Sequence, residues 1–325
     1  MCCIAGVESM KKISVVIPCK NEEENIRLVY EALEKVAVSL NECEMEYIYI
    51  DDGSTGKTLD LIKELSEEDE KVRYLSFSRN FGKEAAMLAG FRAATGDYIA
   101  TIDSDLQDPP SLIPQMVEIL ESGAYDNVAT VRKGRKGEGV IRSCLTRAFY
   151  RFGNRISEVR MVNGARDFRL MKREMVEAIL AIPESERFLK GIYDWIGFRT
   201  YWITFQHADR IKGKSQWSLS SLYRYAINGL INYTGFPLTL PTFFGVLTGL
   251  LGIGLLIAAL VIYCVNGTPF LGFMSLFGFV SLLFSMMFFC LSVLGKYLHL
   301  TFRESKKRPH YIVRESNIDR FERIG

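Results

Sequence analysis

From residue 13 to residue 102 the chain repeats one pattern: a short run of apolar and β-branched residues, a polar turn, then a stretch whose apolar residues recur at helical spacing. The runs at 13–18, 47–50, 72–77 and 98–102 predict strands, and the stretches at 21–40, 58–66 and 83–95 predict helices. Asn21, followed by Glu22, Glu23 and Glu24, offers an N-cap and an acidic first turn for the first helix. The helix at 83–95 is rich in small residues and can therefore lie close to a sheet. Strand and helix alternating in this way predict a mainly parallel, doubly wound α/β sheet. Asn21-Glu22, Asp51-Asp52 and Asp103-Ser104-Asp105 follow three of the strands. They then share one edge of the sheet, the carboxyl edge where open α/β sheets take their ligands.

The pattern changes after Arg224, because no Asp, Glu, Lys or Arg occurs between it and Lys296. Two apolar segments, 241–265 and 271–294, are separated by Asn266-Gly267-Thr268-Pro269. Each is long enough to cross a hydrocarbon core about 30 Å thick, so the pair predicts a transmembrane hairpin. Residues 219–236, rich in Leu, Tyr and Ile, predict an amphipathic helix in the membrane interface. Basic residues flank the hairpin on both outer sides, at 210–224 and 296–308, and the connecting loop has none. The positive-inside rule places both ends, and the large domain, on the cytoplasmic side of the inner (plasma) membrane. Gly245, Gly249, Gly252 and Gly254 point to close helix contacts, within the hairpin or between copies in a homo-oligomer. The expected division is a tail at 1–10, a soluble domain at 11–216, an interface helix at 217–237, the hairpin at 238–298 and a cytoplasmic tail at 299–325.

Composition adds little to this. A chain of 325 residues, 48% hydrophobic, can fill one large core or two, and a net charge of +2 gives no argument for a nucleic-acid partner. The seven cysteines, at 2, 3, 19, 43, 144, 264 and 290, have no paired metal-type spacing and read as reduced or buried thiols of a cytoplasmic protein. Residues 1–10 lack the apolar core of a secretory signal.

The candidate chemistry centres on Thr101-Ile102-Asp103-Ser104-Asp105-Leu106-Gln107-Asp108-Pro109-Pro110. A turn after the strand lets Asp103 and Asp105 meet one hard divalent cation, Mg2+ or Mn2+, which can neutralise the diphosphate of a nucleotide-activated donor. Taken alone, the same pattern is also a solvated acidic turn. In Asp51-Asp52-Gly53-Ser54 an acid can bond a nucleobase or ribose while Gly53 admits a close backbone, and the same four residues also make an ordinary turn. Arg132 opens a basic, glycine-rich stretch continuing through Arg135, Arg142, Arg147 and Arg151, suited to a phosphate or to a membrane surface.

Val16-Ile17-Pro18-Cys19-Lys20-Asn21-Glu22-Glu23, Asp51-Asp52-Gly53-Ser54 and Asp103 to Pro110 resemble, in order, the signatures of family-2 inverting glycosyltransferases. The resemblance extends over about 13–313 and points to the branch that moves a sugar from a nucleotide sugar to a polyprenyl phosphate. Dolichyl-phosphate mannose synthases and bacterial undecaprenyl-phosphate glucosyl- and N-acetylglucosaminyl-transferases belong to that branch. It implies a glycosyltransferase A-type, Rossmann-like sheet followed by the interface helix and two transmembrane helices.

The resemblance also implies roles. Asp103 and Asp105 would hold the metal, with Asp105 catalytic, and Pro18, Glu22, Asp52, Asp103 and Gln107 would hold the nucleotide. Arg132 and Arg142 would meet the acceptor phosphate. Arg210, Lys212 and Lys214 match a basic loop that closes near the donor diphosphate, and they equally suit a juxtamembrane basic patch. Gly164-Ala165-Arg166-Asp167-Phe168-Arg169-Leu170 resembles a family motif in which glycine usually stands at the place of Arg166. It makes Asp167 a candidate catalytic base or acceptor-orienting acid, the competing reading being an ion pair with Arg169 or another neighbour. Trp195 reads as core or sugar-facing packing.

The expected partners are a UDP-sugar, with UDP-glucose or UDP-N-acetylglucosamine ahead of GDP-mannose, undecaprenyl phosphate and the membrane. A processive polysaccharide synthase is disfavoured because Gln216-Trp217 lacks the rest of that class's Gln-x-x-Arg-Trp signature. A silent membrane adaptor is disfavoured by intact acids at every motif.

Overall fold

The apolar runs of the first third pair as parallel strands. The computed structural model describes residues 10–40, 43–132, 151, 154–155, 159, 162–184, 187–205, 236–267, 269–319 and 321. It divides into two units, Met1–Tyr225 with Arg308–Gly325, and Ala226–Lys307.

In the first unit the strands are β1 (Lys11–Cys19), β2 (Cys43–Asp51), β3 (Val72–Phe77), β4 (Tyr98–Thr101), β5 (Asn127–Arg132), β6 (Ala165–Lys172), β7 (Thr200–Phe205) and β8 (Val313–Ser316). They form one sheet in the order β7-β5-β6-β4-β1-β2-β3-β8. β1 pairs in parallel with β2 and β4, β2 with β3, and β5 with β7, whereas β6 and β8 run against their neighbours. The chain winds outward through β1, β2 and β3 and then returns to place β4 on the other side of β1. This makes the β1/β4 boundary a topological switch point, the place where such sheets open a ligand crevice. β4 ends opposite Val16, so Pro18 lies past its last partner on that side and its missing N–H leaves no gap there.

The flanking helices follow from burial. In α1 (Ile26–Ala37) the residues Ile26, Val29, Leu33 and Val36 form one buried stripe, and α2 (Thr58–Glu68) buries Ile62 and Leu65. α1 starts later than the acidic stretch predicts. Asn21 stands at φ 52 and accepts the Thr55 N–H at 2.9 Å with its side chain, which commits it to the next loop instead of to a helix cap.

α3 (Lys83–Ala93) is buried from Ala85 to Phe91. Its small residues do bring it close: a Cβ on Gly90 would meet Val16 at 2.2 Å. α4 (Ile113–Glu121), α5 (Arg173–Ala181) and α6 (Leu189–Trp195) complete this unit among the described residues. After the apolar region the chain returns to the sheet. Tyr311 is buried and stacks on Phe77, and β8 pairs antiparallel with β3.

The second unit holds α7 (Phe236–Asn266) and α8 (Pro269–Ser305). Both are long and apolar enough to cross a membrane. Phe243, Leu250, Leu260, Phe277, Phe288 and Leu298 on them are exposed, an apolar surface that water does not support. The expected interface helix lies, through residue 235, outside the described residues.

Candidate active site

The exits of β1 and β2 are built as interlocked turns. Asp51 is buried and accepts from the Ser54 N–H and the Ser76 hydroxyl. Asp52 turns the other way and takes the N–H groups of Phe81, at 2.7 Å, and Gly82, at 3.0 Å. Burial pushes the Asp52 carboxyl up from its ordinary value, against the pull of those two amides. Directly after them Gly53 stands at φ 67, and a Cβ there would lie 2.5 Å from the Arg79 carbonyl carbon. No other residue fits that approach. The Glu22 N–H donates to Thr58 Oγ1, and the Glu22 carboxylate accepts from Asn25 Nδ2 at 2.6 Å.

The exit of β4 meets the start of β6. Thr101 pairs with Arg169, and its hydroxyl donates to the Asp167 carbonyl, so Asp167 comes level with the acidic loop. One ammonium joins the two segments: Lys83 Nζ, from the first turn of α3, is 2.5 Å from Asp103 Oδ1 and 2.5 Å from Asp167 Oδ2. Lys190 Nζ lies 3.7 Å from Asp167 Oδ1. Burial works against the charge on Asp167, but Lys83 and Lys190 outweigh it and hold the carboxyl well below its ordinary range. Burial likewise disfavours the Lys83 ammonium, and Asp103 and Asp167 overcome it, raising its pKa.

Arg166 braces the loop itself. Its Nε donates to Asp108 Oδ1 at 2.9 Å, a second bond reaches Asp108 Oδ2 at 3.2 Å, and a third reaches Gln107 Oε1 at 3.4 Å. Asp108 is fully buried, and its burial, opposed by Arg166, raises its carboxyl pKa. Asp105 is 7% exposed and accepts the Gln107 N–H. Leu106 between them stands at φ 53, a left-handed conformation costly for a residue with a branched side chain and one that clusters at ligand sites.

Thus Pro18, Glu22, Asp52, Asp103, Asp105, Gln107, Arg132 and Asp167 share the carboxyl edge. Arg132 ends β5, where its N–H donates to the Gly164 carbonyl at 3.0 Å. Arg142, Arg210, Lys212 and Lys214 lie outside the described residues. Arg169 does not pair with Asp167 in an ion bridge; its guanidinium stacks over Tyr193 at 4.0 Å and Trp202 at 5.4 Å. Trp195 is not part of the core. It is 61% exposed at the end of α6. Lys83 escapes sequence reasoning because only folding brings it to Asp167, 84 positions away. A lysine at the N-terminus of a helix, where the dipole disfavours a cation, was the available signal.

Among the described residues no group of three or more acids, histidines and cysteines is arranged to hold a metal alone. Two carboxylates, Asp103 and Asp105, on a strained turn fit a cation of the Mg2+ type, which takes one or two carboxylates and completes its shell with substrate phosphates and water.

Comparison with known proteins bears on the whole chain. Residues 14–180 match Glycosyl transferase family 2. The chain is 37% identical over 307 residues to the bactoprenol glucosyl transferase of Shigella phage SfV, covering 93% of this chain and 98% of that one. It is 36% identical over 305 residues to the prophage bactoprenol glucosyl transferase homolog of Escherichia coli, again covering 93% and 98%. The CsbB chain of Bacillus subtilis is 39% identical over 306 residues, covering 94% of this chain and 92% of its own.

Proposed function

The chain belongs to glycosyl transferase family 2, and from that premise we propose that it transfers glucose from UDP-glucose to a polyprenyl phosphate at the cytoplasmic face of the membrane, inverting the anomeric carbon. The observation that carries this reading is the acid loop Asp103–Asp108 at the β1/β4 switch, in a chain that resembles a bactoprenol glucosyl transferase over 93% of its length. Those relatives' names support the lipid acceptor and glucose as the sugar.

Each part of the site has a task. Pro18, Glu22, Asp52 and Gln107 hold the nucleoside, and Arg210, Lys212 and Lys214 close on its diphosphate. A divalent cation, Mg2+ or Mn2+, held by Asp105 and Asp103, supplies positive charge to the leaving diphosphate. Arg132 and Arg142 hold the acceptor phosphate. One of its oxygens attacks the anomeric carbon from the face opposite the diphosphate. The new carbon–oxygen bond forms as the old one breaks, and UDP carries away the bonding electrons. The acceptor is already ionised at neutral pH, so no strong base is required. Asp167, held as a carboxylate by Lys83 and Lys190, is a weak base and is suited to positioning.

The return of β8 to the catalytic sheet supports the membrane topology. β1 to β7 precede α7 and β8 follows α8, and all belong to one sheet, which supports a reading in which the two helices cross the membrane as a hairpin. The basic flanks support a cytoplasmic position for that side.

The test is transfer of labelled sugar from UDP-glucose, UDP-N-acetylglucosamine, UDP-galactose and GDP-mannose into lipid extract. Membranes containing the protein are supplied with undecaprenyl phosphate and Mg2+ or Mn2+, and the product anomer is read by NMR. The expected product is a β-linked glucosyl lipid from UDP-glucose. A different donor would replace the sugar, an α-linked product would remove inversion, and no product from any donor would leave the adaptor reading.

A further inference from the structure

Helix physics gives no reason for Lys83. It opens α3, where the helix dipole disfavours a cation, and beyond Glu84 the helix is buried and apolar from Ala85 to Phe91. Its ammonium nevertheless lies 2.5 Å from Asp103 Oδ1 and 2.5 Å from Asp167 Oδ2. The root of the side chain cannot shift to relax this. Gly90 is pressed against Val16, and the Phe81 and Gly82 amides are tied to Asp52. The other cations facing these acids stand farther off: Arg166 is 4.0 Å from Asp103, and Lys190 is 3.7 Å from Asp167.

We propose that Lys83 is a positioning residue, the built-in counter-ion of Asp103 and Asp167, and that it competes with the divalent cation for Asp103. This rests on the reading above that Asp103 and Asp105 take such a cation. In the absence of donor the ammonium bridges the loop after β4 to β6 and holds both carboxylates in place. Like charge then weakens the Lys83–Asp103 half of the bridge whenever a cation occupies Asp103, while the Asp167 half persists. The carboxylates alone therefore hold metal weakly, and firm retention requires the oxygens of the donor diphosphate. Release of the nucleotide product loosens the metal with it, and Lys83 resets the site.

The experiment measures Mn2+ binding to the full-length protein in detergent, by electron paramagnetic resonance of free Mn2+, without nucleotide. Lys83→Met and the hydrogen-bonding Lys83→Gln bind Mn2+ about tenfold more tightly than wild type, and Lys83→Arg, which keeps the charge, stays within about threefold. At saturating metal and donor the neutral variants lose kcat, because Asp167 is no longer held, while KM for the donor changes little. Near-UV circular dichroism checks folding, and Lys83→Gln serves where Lys83→Met fails it. If wild type binds Mn2+ and the folded neutral variants bind it no more tightly, the role of Lys83 is overturned and the metal site stands. A wild type that binds no Mn2+ and transfers sugar in chelator overturns both.

Discussion

At the amino edge of the sheet Glu46 is buried and saturated: it accepts from the Ser14 hydroxyl and from the Thr95 amide and hydroxyl, with Lys12 and Arg73 each 2.9 Å from its second oxygen. At the carboxyl edge Asp103, Asp105, Asp108 and Asp167 crowd together beside three cations, Lys83, Arg166 and Lys190. Both regions bury carboxylates in the same sheet, but at the first the donors converge on one acid, whereas at the second a single ammonium, Lys83, is shared by Asp103 and Asp167. A single buried acid ringed by donors is a fastening, whereas two acids sharing one cation at a switch point can exchange it for a ligand.

The largest effect should come from breaking the second region. Asp105→Ala lowers sugar transfer about thousandfold, about 4 kcal/mol of transition-state stabilisation, while the unfolding midpoint in urea barely moves. Radiolabel transfer normalised to folded protein checks this.

Breaking the first region has the opposite signature. Glu46→Ala leaves Arg73 and Lys12 facing a cavity and costs about 3 kcal/mol of unfolding free energy, with transfer per folded molecule unchanged. The pH dependence sharpens the contrast. Burial pushes the Glu46 carboxyl up, but Ser14, Thr95 and Lys12 more than reverse this and bring it to about 2, against an ordinary 4.5. Its contribution is complete above pH 4.5 and is lost as pH falls from there toward 2. Urea melts across that range should show a slope in wild type that Glu46→Gln flattens.

Arg166→Ala crosses the two categories, because it removes a structural brace from inside the functional edge. Asp108 loses a bidentate partner, so about 2 kcal/mol of stability and about tenfold in transfer should go together, read by the same two assays. The smallest effect belongs to Trp195→Ala: exposed at the end of α6, it should change stability by less than about 0.5 kcal/mol and leave transfer untouched.

The two edges also differ in how much of them can be read from sequence. β1 to β4 and α3 are legible because burial on both faces leaves apolar runs, as in 15–17, 47–50 and 85–91. The acids at the strand ends are legible because a parallel sheet sends them all to one edge. What they bond is not. Asp52 spends its oxygens on the amides of Phe81 and Gly82, and Asp167 takes Lys83 instead of Arg169, choices made by contacts between distant segments. β8 is hidden for a related reason: four residues carry too short a pattern, and their partner β3 lies at the other end of the chain. Glu46 reads only as one more acid in a strand, since nothing local announces the ring of donors that Ser14, Arg73 and Thr95 form around it.

The most direct test of the central claim is the appearance of undecaprenyl phosphate glucose from UDP-glucose in membranes carrying the protein, with Mg2+ or Mn2+ and then with chelator. The account predicts a glucolipid that forms with metal, vanishes with chelator, is absent in Asp105→Ala and persists in folded Glu46→Ala. A glucolipid that forms undiminished in chelator, or in folded Asp105→Ala, would contradict it.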